Sequence, residues 1–252
     1  PFDPKSLDAV VLSHAHIDHA GALPLLVRQG FRGPVFCTSG TRDLLRVMLP
    51  DAAHLQEEEA RNANRKGWSK HHPALALYCG EDAEAVFPLL ETRPYGKPFA
   101  AADGVTALFR QAGHILGSAT TELGLDGLTL AYSGDLGRWD QPILNDPELV
   151  AEADVLLVES TYGNRVHAPD PQEALARIVR EAALRGGALL IPAFAVGRTQ
   201  TLIWMLHTLE KAGRIPRLPA FLDSPMASRV SDITCRHAGD LDADMRKAMD
   251  RG

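Results

Sequence analysis

Short apolar runs separated by glycine-bearing polar turns dominate the chain up to Glu159. Ala9-Val10-Val11-Leu12-Ser13 reads as a buried strand, and residues 34–38 as another short one. Periodic apolar spacing predicts a helix over 21–28 with Gly30 able to end it, then an amphipathic helix over 41–49. A second, polar helix follows over 56–66, its charges forming a solvated face. Residues 81–90 read as a further helix. Residues 105–111, 120–125 and 128–133 alternate as strands, and Asp126-Gly127 supplies the turn that makes the last two a hairpin. A fourth strand of this group, 155–158, ends at Glu159. Beyond about residue 165 the pattern changes to helix 172–185, strand 188–192, helix 199–212 and strand 219–222. That alternation predicts a parallel α/β unit. The boundary is set at 164, giving domains 1–164 and 165–252, with the proline-bearing stretch 165–171 as the junction.

The 252 residues are 45% hydrophobic and 23% charged, an ordinary globular composition. No apolar run approaches the roughly 20 residues that span a bilayer, and the longest candidate, 186–196, is broken by Pro192. No secretory leader pattern is present at the start, and no membrane partner is expected. Three widely spaced cysteines, Cys37, Cys79 and Cys235, give no disulfide framework and fit a cytoplasmic location. The net charge of −6 argues against a surface coated in basic residues for nucleic acid. The charge is uneven, however. Residues 1–164 carry 13 Lys and Arg against 22 Asp and Glu, whereas 165–252 carry 13 against 10. The second part is therefore the better suited to meet an anion.

Chemistry concentrates in His14-Ala15-His16-Ile17-Asp18-His19, directly after the first strand. Imidazole and carboxylate ligands gathered this closely suit zinc or a similar divalent ion. Two further candidates sit at strand ends, His114 after Gly113 and Asp135 after Ser133-Gly134, where glycine permits close backbone approach.

This signature, H-x-H-x-D-H, resembles that of the metallo-β-lactamase superfamily. Glu159-Ser160-Thr161-Tyr162-Gly163, Ile191-Pro192-Ala193-Phe194-Ala195-Val196-Gly197-Arg198 and Leu222-Asp223-Ser224-Pro225-Met226-Ala227 are similar to motifs of its β-CASP group of nucleic-acid hydrolases. The Glu159 motif is most similar to the cleavage and polyadenylation specificity factor nuclease and its bacterial relatives. The resemblance implies a partial αββα sandwich with a partial, inserted parallel α/β β-CASP domain. It implies two Zn2+ ions: one held by His14, His16 and His114, the other by Asp18 and His19, with Asp135 bridging. A hydroxide between the metals would be the nucleophile. Asp18, Asp135 and Glu159 would be catalytic, Glu159 acting near the leaving group through a histidine. Arg198 would contact substrate phosphate.

The expected activity is hydrolysis of phosphodiester bonds in single-stranded RNA, with a homodimer as a possible assembly. Two other readings are a small-molecule metallo-hydrolase of lactonase or thioesterase type and a non-catalytic RNA-binding scaffold. The family's strand-rich leading stretch and its two later histidine motifs have no match here. The chain is accordingly expected to be an internal piece of a longer protein, not fully active alone.

Overall fold

The computed structural model describes residues 2–166 and 170–250. His167 and the middle of the expected 165–171 junction lie outside the described residues. The chain divides into two compact units, 1–139 with 146–159, and 140–145 with 160–252.

In the first unit, β1 (Val10–Val11) leads into a short helix, α1 (Ile17–Ala20), followed by α2 (Leu23–Arg28), β2 (Val35–Cys37) and the long α3 (Ser39–Lys66). Next come α4 (Gly80–Glu84), a single 3-10 turn at Phe87–Leu89, and β3 (Leu90–Thr92). β1, β2 and β3 form a parallel three-stranded sheet. A second, five-stranded sheet runs in sequence order through β4 (Phe99–Ala102), β5 (Val105–Gln111), β6 (Ala119–Leu125), β7 (Leu128–Tyr132) and β8 (Val155–Leu157). Its first four strands are antiparallel and β8 joins β7 in parallel. Asp126 and Gly127 both take positive φ, the primed turn that matches strand twist and closes the expected hairpin.

The two sheets stack face to face. Phe36 of β2 shares one buried cluster with Ala101, Ala107, Phe109 and Ala119 of the other sheet. Phe99 bridges the aromatic pair, 5.1 Å from Phe36 and 5.3 Å from Phe109 between ring centroids. Helix α3 buries Leu44, Leu45, Met48, Leu49, Ala52 and Ala53 and packs against α1, α4 and β3. Helix, sheet and sheet thus give three layers of the partial αββα sandwich that the motifs implied, within an α/β class.

Several expected elements take a different form. The two helices expected over 41–49 and 56–66 are one, α3, with Pro50 in its interior. A single proline removes one backbone donor, and buried Ala52 and Ala53 carry the apolar face past it. The helix expected over 81–90 stops at Glu84. Pro88 cannot continue it, and Leu90 turns instead into β3 to pair with Val35. Strand β4 had no counterpart in the sequence reading.

The second unit holds α5 (Pro171–Arg185), α6 (Arg198–Lys211), α7 (Pro225–Arg236) and α8 (Ala243–Met249). Asp170 caps α5 by accepting from the Glu173 amide at 2.8 Å, and Ser224 caps α7 likewise. Ala176, Val179, Leu209 and Ile215 join α5 to α6 in a small core. Ile143 and Asp242 exchange backbone and side-chain hydrogen bonds, which ties 140–145 to this unit. The expected strands 188–192 and 219–222 form no ladder among the described residues. Both segments leave large apolar side chains in solvent, with Leu190 at 87% and Phe221 at 90% exposure. A strand is defined by the neighbour that satisfies its backbone, and apolar composition alone does not supply one.

Truncating Phe109, which is fully buried where the sheets meet, should cost about 3–5 kcal/mol. Denaturant unfolding of Phe109→Ala measures this; a loss below about 1 kcal/mol would mean that the sheets do not share this core.

Candidate metal centre

Three strand ends of the first unit converge at one edge of the sandwich. After β1, the Leu12 amide still donates to the Phe36 carbonyl at 2.9 Å, so the chain leaves the sheet at Ser13 and His14. His14 is fully buried. His16 precedes α1 with extended backbone angles and spends no side-chain hydrogen bond on the helix end, which leaves its ring for the site. The single turn of α1 then presents Asp18 and His19.

His114 lies in the loop after β5. Ser118 Oγ accepts from the amides of His114 at 3.0 Å and Ile115 at 3.2 Å, and this folds the loop on itself. The Gly117 carbonyl accepts two hydroxyls, Thr38 Oγ1 at 2.6 Å and Thr41 Oγ1 at 2.9 Å, so the loop is held on the first turn of α3. Asp135 follows β7 through Gly134, whose φ of +55° makes the turn.

The ligand-type atoms gather closely. His14 Nε2 stands 3.2 Å from His16 Nδ1, and His114 Nε2 stands 3.1 Å from that same nitrogen. Asp135 Oδ2 lies 3.7 Å from His14 Nε2 and 3.4 Å from His114 Nε2. A tetrahedral ion bound at about 2.0–2.1 Å separates its ligands by about 3.3–3.4 Å. Four of the edges of this donor set therefore bracket the spacing that zinc requires. The other oxygen of Asp135 turns to His19 Nε2 at 3.2 Å, and that nitrogen is 3.6 Å from Asp18 Oδ2. One carboxylate thus serves two adjoining donor groups, the first of four residues and the second of three. The chemistry of both sets fits divalent metal.

Neighbouring hydroxyls set the rings. Ser13 Oγ lies 3.1 Å from His14 Nδ1, within hydrogen-bond distance; in the tautomer that carries its proton on Nδ1, His14 donates to this hydroxyl and its Nε2 lone pair faces the other donors. Tyr132 Oη lies 3.4 Å from His19 Nδ1. Burial, reinforced by the charges of His19, His16 and His114, lowers the pKa of His14 from 6.5 to about 2. Burial also lowers His16 and His114, against the opposing pull of nearby carboxylates. The three imidazoles are accordingly neutral over the physiological range, as metal ligands must be.

The loops of His114 and Asp135 are fastened together. The Gly137 amide donates to the Ala112 carbonyl at 2.8 Å. A Cβ on Gly137 would stand 2.0 Å from the Gly113 carbonyl oxygen, so no side chain fits there. Glu159 supports the same turn. Its Oε1 accepts from the Leu136 amide at 2.7 Å, and its own amide donates to Ser133 Oγ at 3.0 Å. The resemblance implied that Glu159 acts through a histidine of a family motif with no match in this chain; its direct hydrogen bonds here are to the Asp135 turn, and its charge partly opposes the lowering of the His114 pKa by burial.

The first unit therefore brings together His14, His16, Asp18, His19, His114 and Asp135, with Glu159 behind Asp135. Arg198 opens α6 in the second unit, after Gly197 at φ +80°. Of the other histidines, His54 faces Glu58 at 3.9 Å and His207 lies near Trp204, while His71 and His72 are exposed. Sequence reasoning missed Ser13, Thr38, Thr41, Ser118, Tyr132 and Gly137. Ser13, Ser118, Tyr132 and Gly137 each lie within four residues of a ligand, whereas Thr38 and Thr41 carry no such local signal.

A family model described as a beta-lactamase superfamily domain matches residues 1–185. Ribonuclease TTHA0252 of Thermus thermophilus is 40% identical over 234 residues, covering 92% of this chain and 50% of that protein. Transcription termination factor FttA of Methanosarcina mazei is 32% identical over 254 residues, 98% of this chain and 38% of that protein. Endoribonuclease YSH1 of Saccharomyces cerevisiae is 29% identical over 256 residues, 98% and 32% respectively. The chain thus spans about half the length of the first of these relatives, and less of the others.

Two expectations follow from the geometry. In the metal-free protein the unfolded chain takes up protons near pH 6.5, whereas buried His14 resists them down to about pH 2. Stability should therefore be independent of this group above pH 6.5 and fall as pH drops below it, by up to about 1.4 kcal/mol per pH unit. Denaturation of chelated protein across that range, compared with His14→Asn, reads the slope; equal slopes would refute a neutral buried His14. Separately, Gly137→Ala should spread the two loops and weaken metal binding by about 10- to 100-fold. Metal titration tests this, and unchanged affinity would show that the loops are not clamped there.

Proposed function

Because this chain belongs to the beta-lactamase superfamily, we propose that it carries the metal centre of a ribonuclease acting on single-stranded RNA. The observation that carries the reading is the donor set of His14, His16, His114 and Asp135, spaced as a tetrahedral ion requires and continued through Asp135 to His19 and Asp18. The names of the Thermus and yeast relatives support RNA as the substrate. The relatives also support the β-CASP group that the three later motifs resemble.

Two zinc ions are proposed, on the nitrogen and carboxylate donors and the tetrahedral spacing. Such ions, when bound, polarise a phosphodiester and make hydroxide available at neutral pH. The chain's own residues provide the rest. Ser13 keeps the His14 proton on Nδ1, and burial keeps the imidazoles unprotonated. Asp135 divides its oxygens between the two donor groups and fixes their separation. Glu159 acts as a positioning residue, holding the Leu136 amide and with it the Asp135 turn. Arg198 is proposed to meet substrate phosphate through its bidentate guanidinium. The unpaired thiols of Cys37, Cys79 and Cys235 support a reducing compartment, the cytoplasm. No helix among the described residues is long and apolar enough to cross a membrane.

The test is cleavage of end-labelled single-stranded RNA by the zinc-loaded protein. Asp135→Ala should lower the rate by several orders of magnitude while circular dichroism stays unchanged. Equal rates in wild type and variant would refute the assignment.

A further inference from the structure

From Ala60 to Gly80 the chain contains no aspartate or glutamate, although the protein carries a net charge of −6. This window holds Arg61, Arg65, Lys66, Lys70, His71 and His72, all exposed. It also holds Trp68, one of three tryptophans, which is 65% exposed. The Lys66 ammonium sits 5.5 Å from the Trp68 ring centroid. Arg61 faces Glu57 at 3.8 Å, and Arg65 donates to Asn62 at 2.8 Å. Among the described residues, Arg65, Lys66 and Lys70 have no carboxylate within ion-pair distance.

The segment is built rather than slack. Gly67, with φ +66°, ends α3 and turns the chain back along it. Asn64 grips Ala74 twice, donating to its carbonyl at 2.9 Å and accepting from its amide at 2.7 Å. Gln56 accepts from the Leu77 amide at 3.2 Å and Glu57 from the Gly80 amide at 3.0 Å. These bonds stitch the returning strand of chain to the helix and leave Trp68 and Lys70 on the outside of the turn. An indole kept in water costs hydrophobic free energy that a buried position would recover. A flat aromatic face framed by unpaired cations is what a single strand of nucleic acid uses, with a base on the ring and phosphates on the ammonium and guanidinium groups.

We infer that Arg65, Lys66, Trp68 and Lys70 form a second contact surface for single-stranded RNA, outside the metal centre. The inference rests on the RNA reading above and extends it. Thr41, which holds the His114 loop, and Arg65 lie 24 residues apart on α3, about 36 Å along a straight helix at 1.5 Å per residue. The surface therefore takes a flank of the RNA, remote from the bond to be cut. A neutral or basic peptide would not use it, because the cations would go unmatched.

The experiment uses the full protein carrying Asp135→Ala, so that binding is read without cleavage. Labelled single-stranded RNA is titrated by fluorescence anisotropy at several salt concentrations, with Trp68→Ala, Arg65→Ala and Lys70→Ala added one at a time. Trp68→Ala should weaken binding about tenfold or more, and should remove quenching of tryptophan emission by RNA. Arg65→Ala and Lys70→Ala should each lower the slope of log affinity against log salt by about 0.7 to 1. A merely structural role would leave that slope unchanged. Long RNA should show these effects and a short oligonucleotide should not. Unchanged affinity, quenching and slope in all three variants overturns the inference and leaves the surface to an acidic protein partner. Cleavage by the wild type is measured apart, so the ribonuclease reading and this surface can each fail alone.

Discussion

One backbone hydrogen bond, from the Gly137 amide to the Ala112 carbonyl, sets the distance on which the whole centre depends. His114 and Asp135 arrive on loops after different strands, and nothing in either strand fixes their separation. The bond does so at 2.8 Å, with the Gly113 carbonyl filling the space a side chain on Gly137 would need. Around it the supports are layered. Ser118 folds the His114 loop, Glu159 and Ser133 hold the Asp135 turn, and buried His14 closes the floor. None of these contacts is strong alone, since a typical hydrogen bond contributes about 1 kcal/mol net. Their value lies in agreement: each limits the same few ångströms.

The electrostatics follow from that geometry. Three imidazoles forced within ring contact at a partly buried site cannot all hold protons, because burial and mutual repulsion both oppose charge. What is unfavourable for protons favours a divalent cation, which takes the same lone pairs and satisfies Asp135 as well. Asp135 is only partly exposed, and its two oxygens face opposite sides of the shared centre.

The site was more legible in the sequence than the fold. His14, His16, Asp18 and His19 are contiguous, so one strand end presents them together. His114 and Asp135 each follow a glycine at the end of an alternating strand, and both were readable for that reason. The residues that set their spacing were not, because Gly137 meets Gly113 and Thr38 meets Gly117 only after the chain has folded. Among the elements, the β6–β7 hairpin was announced by Asp126-Gly127, a local turn. Helix α3 was read as two because Pro50 interrupts the pattern, whereas its continuity depends on Ala52 and Ala53 finding a tertiary surface. Residues 188–192 and 219–222 have strand composition, yet a ladder requires partners that no local pattern specifies.

Helix α3 carries a mechanical consequence. Its first turn grips the Gly117 carbonyl through Thr38 and Thr41, and its last turns carry the stitched return of 67–80. It is a strut whose ends serve different neighbours. Stiffness in such a member comes from its ladder of backbone bonds, and Pro50 cannot supply the one that would reach the Arg46 carbonyl. Flexure is therefore concentrated in the turn between Arg46 and Pro50. A load applied at the far end is taken up there as bending, and the hydroxyl grip on Gly117 is spared it.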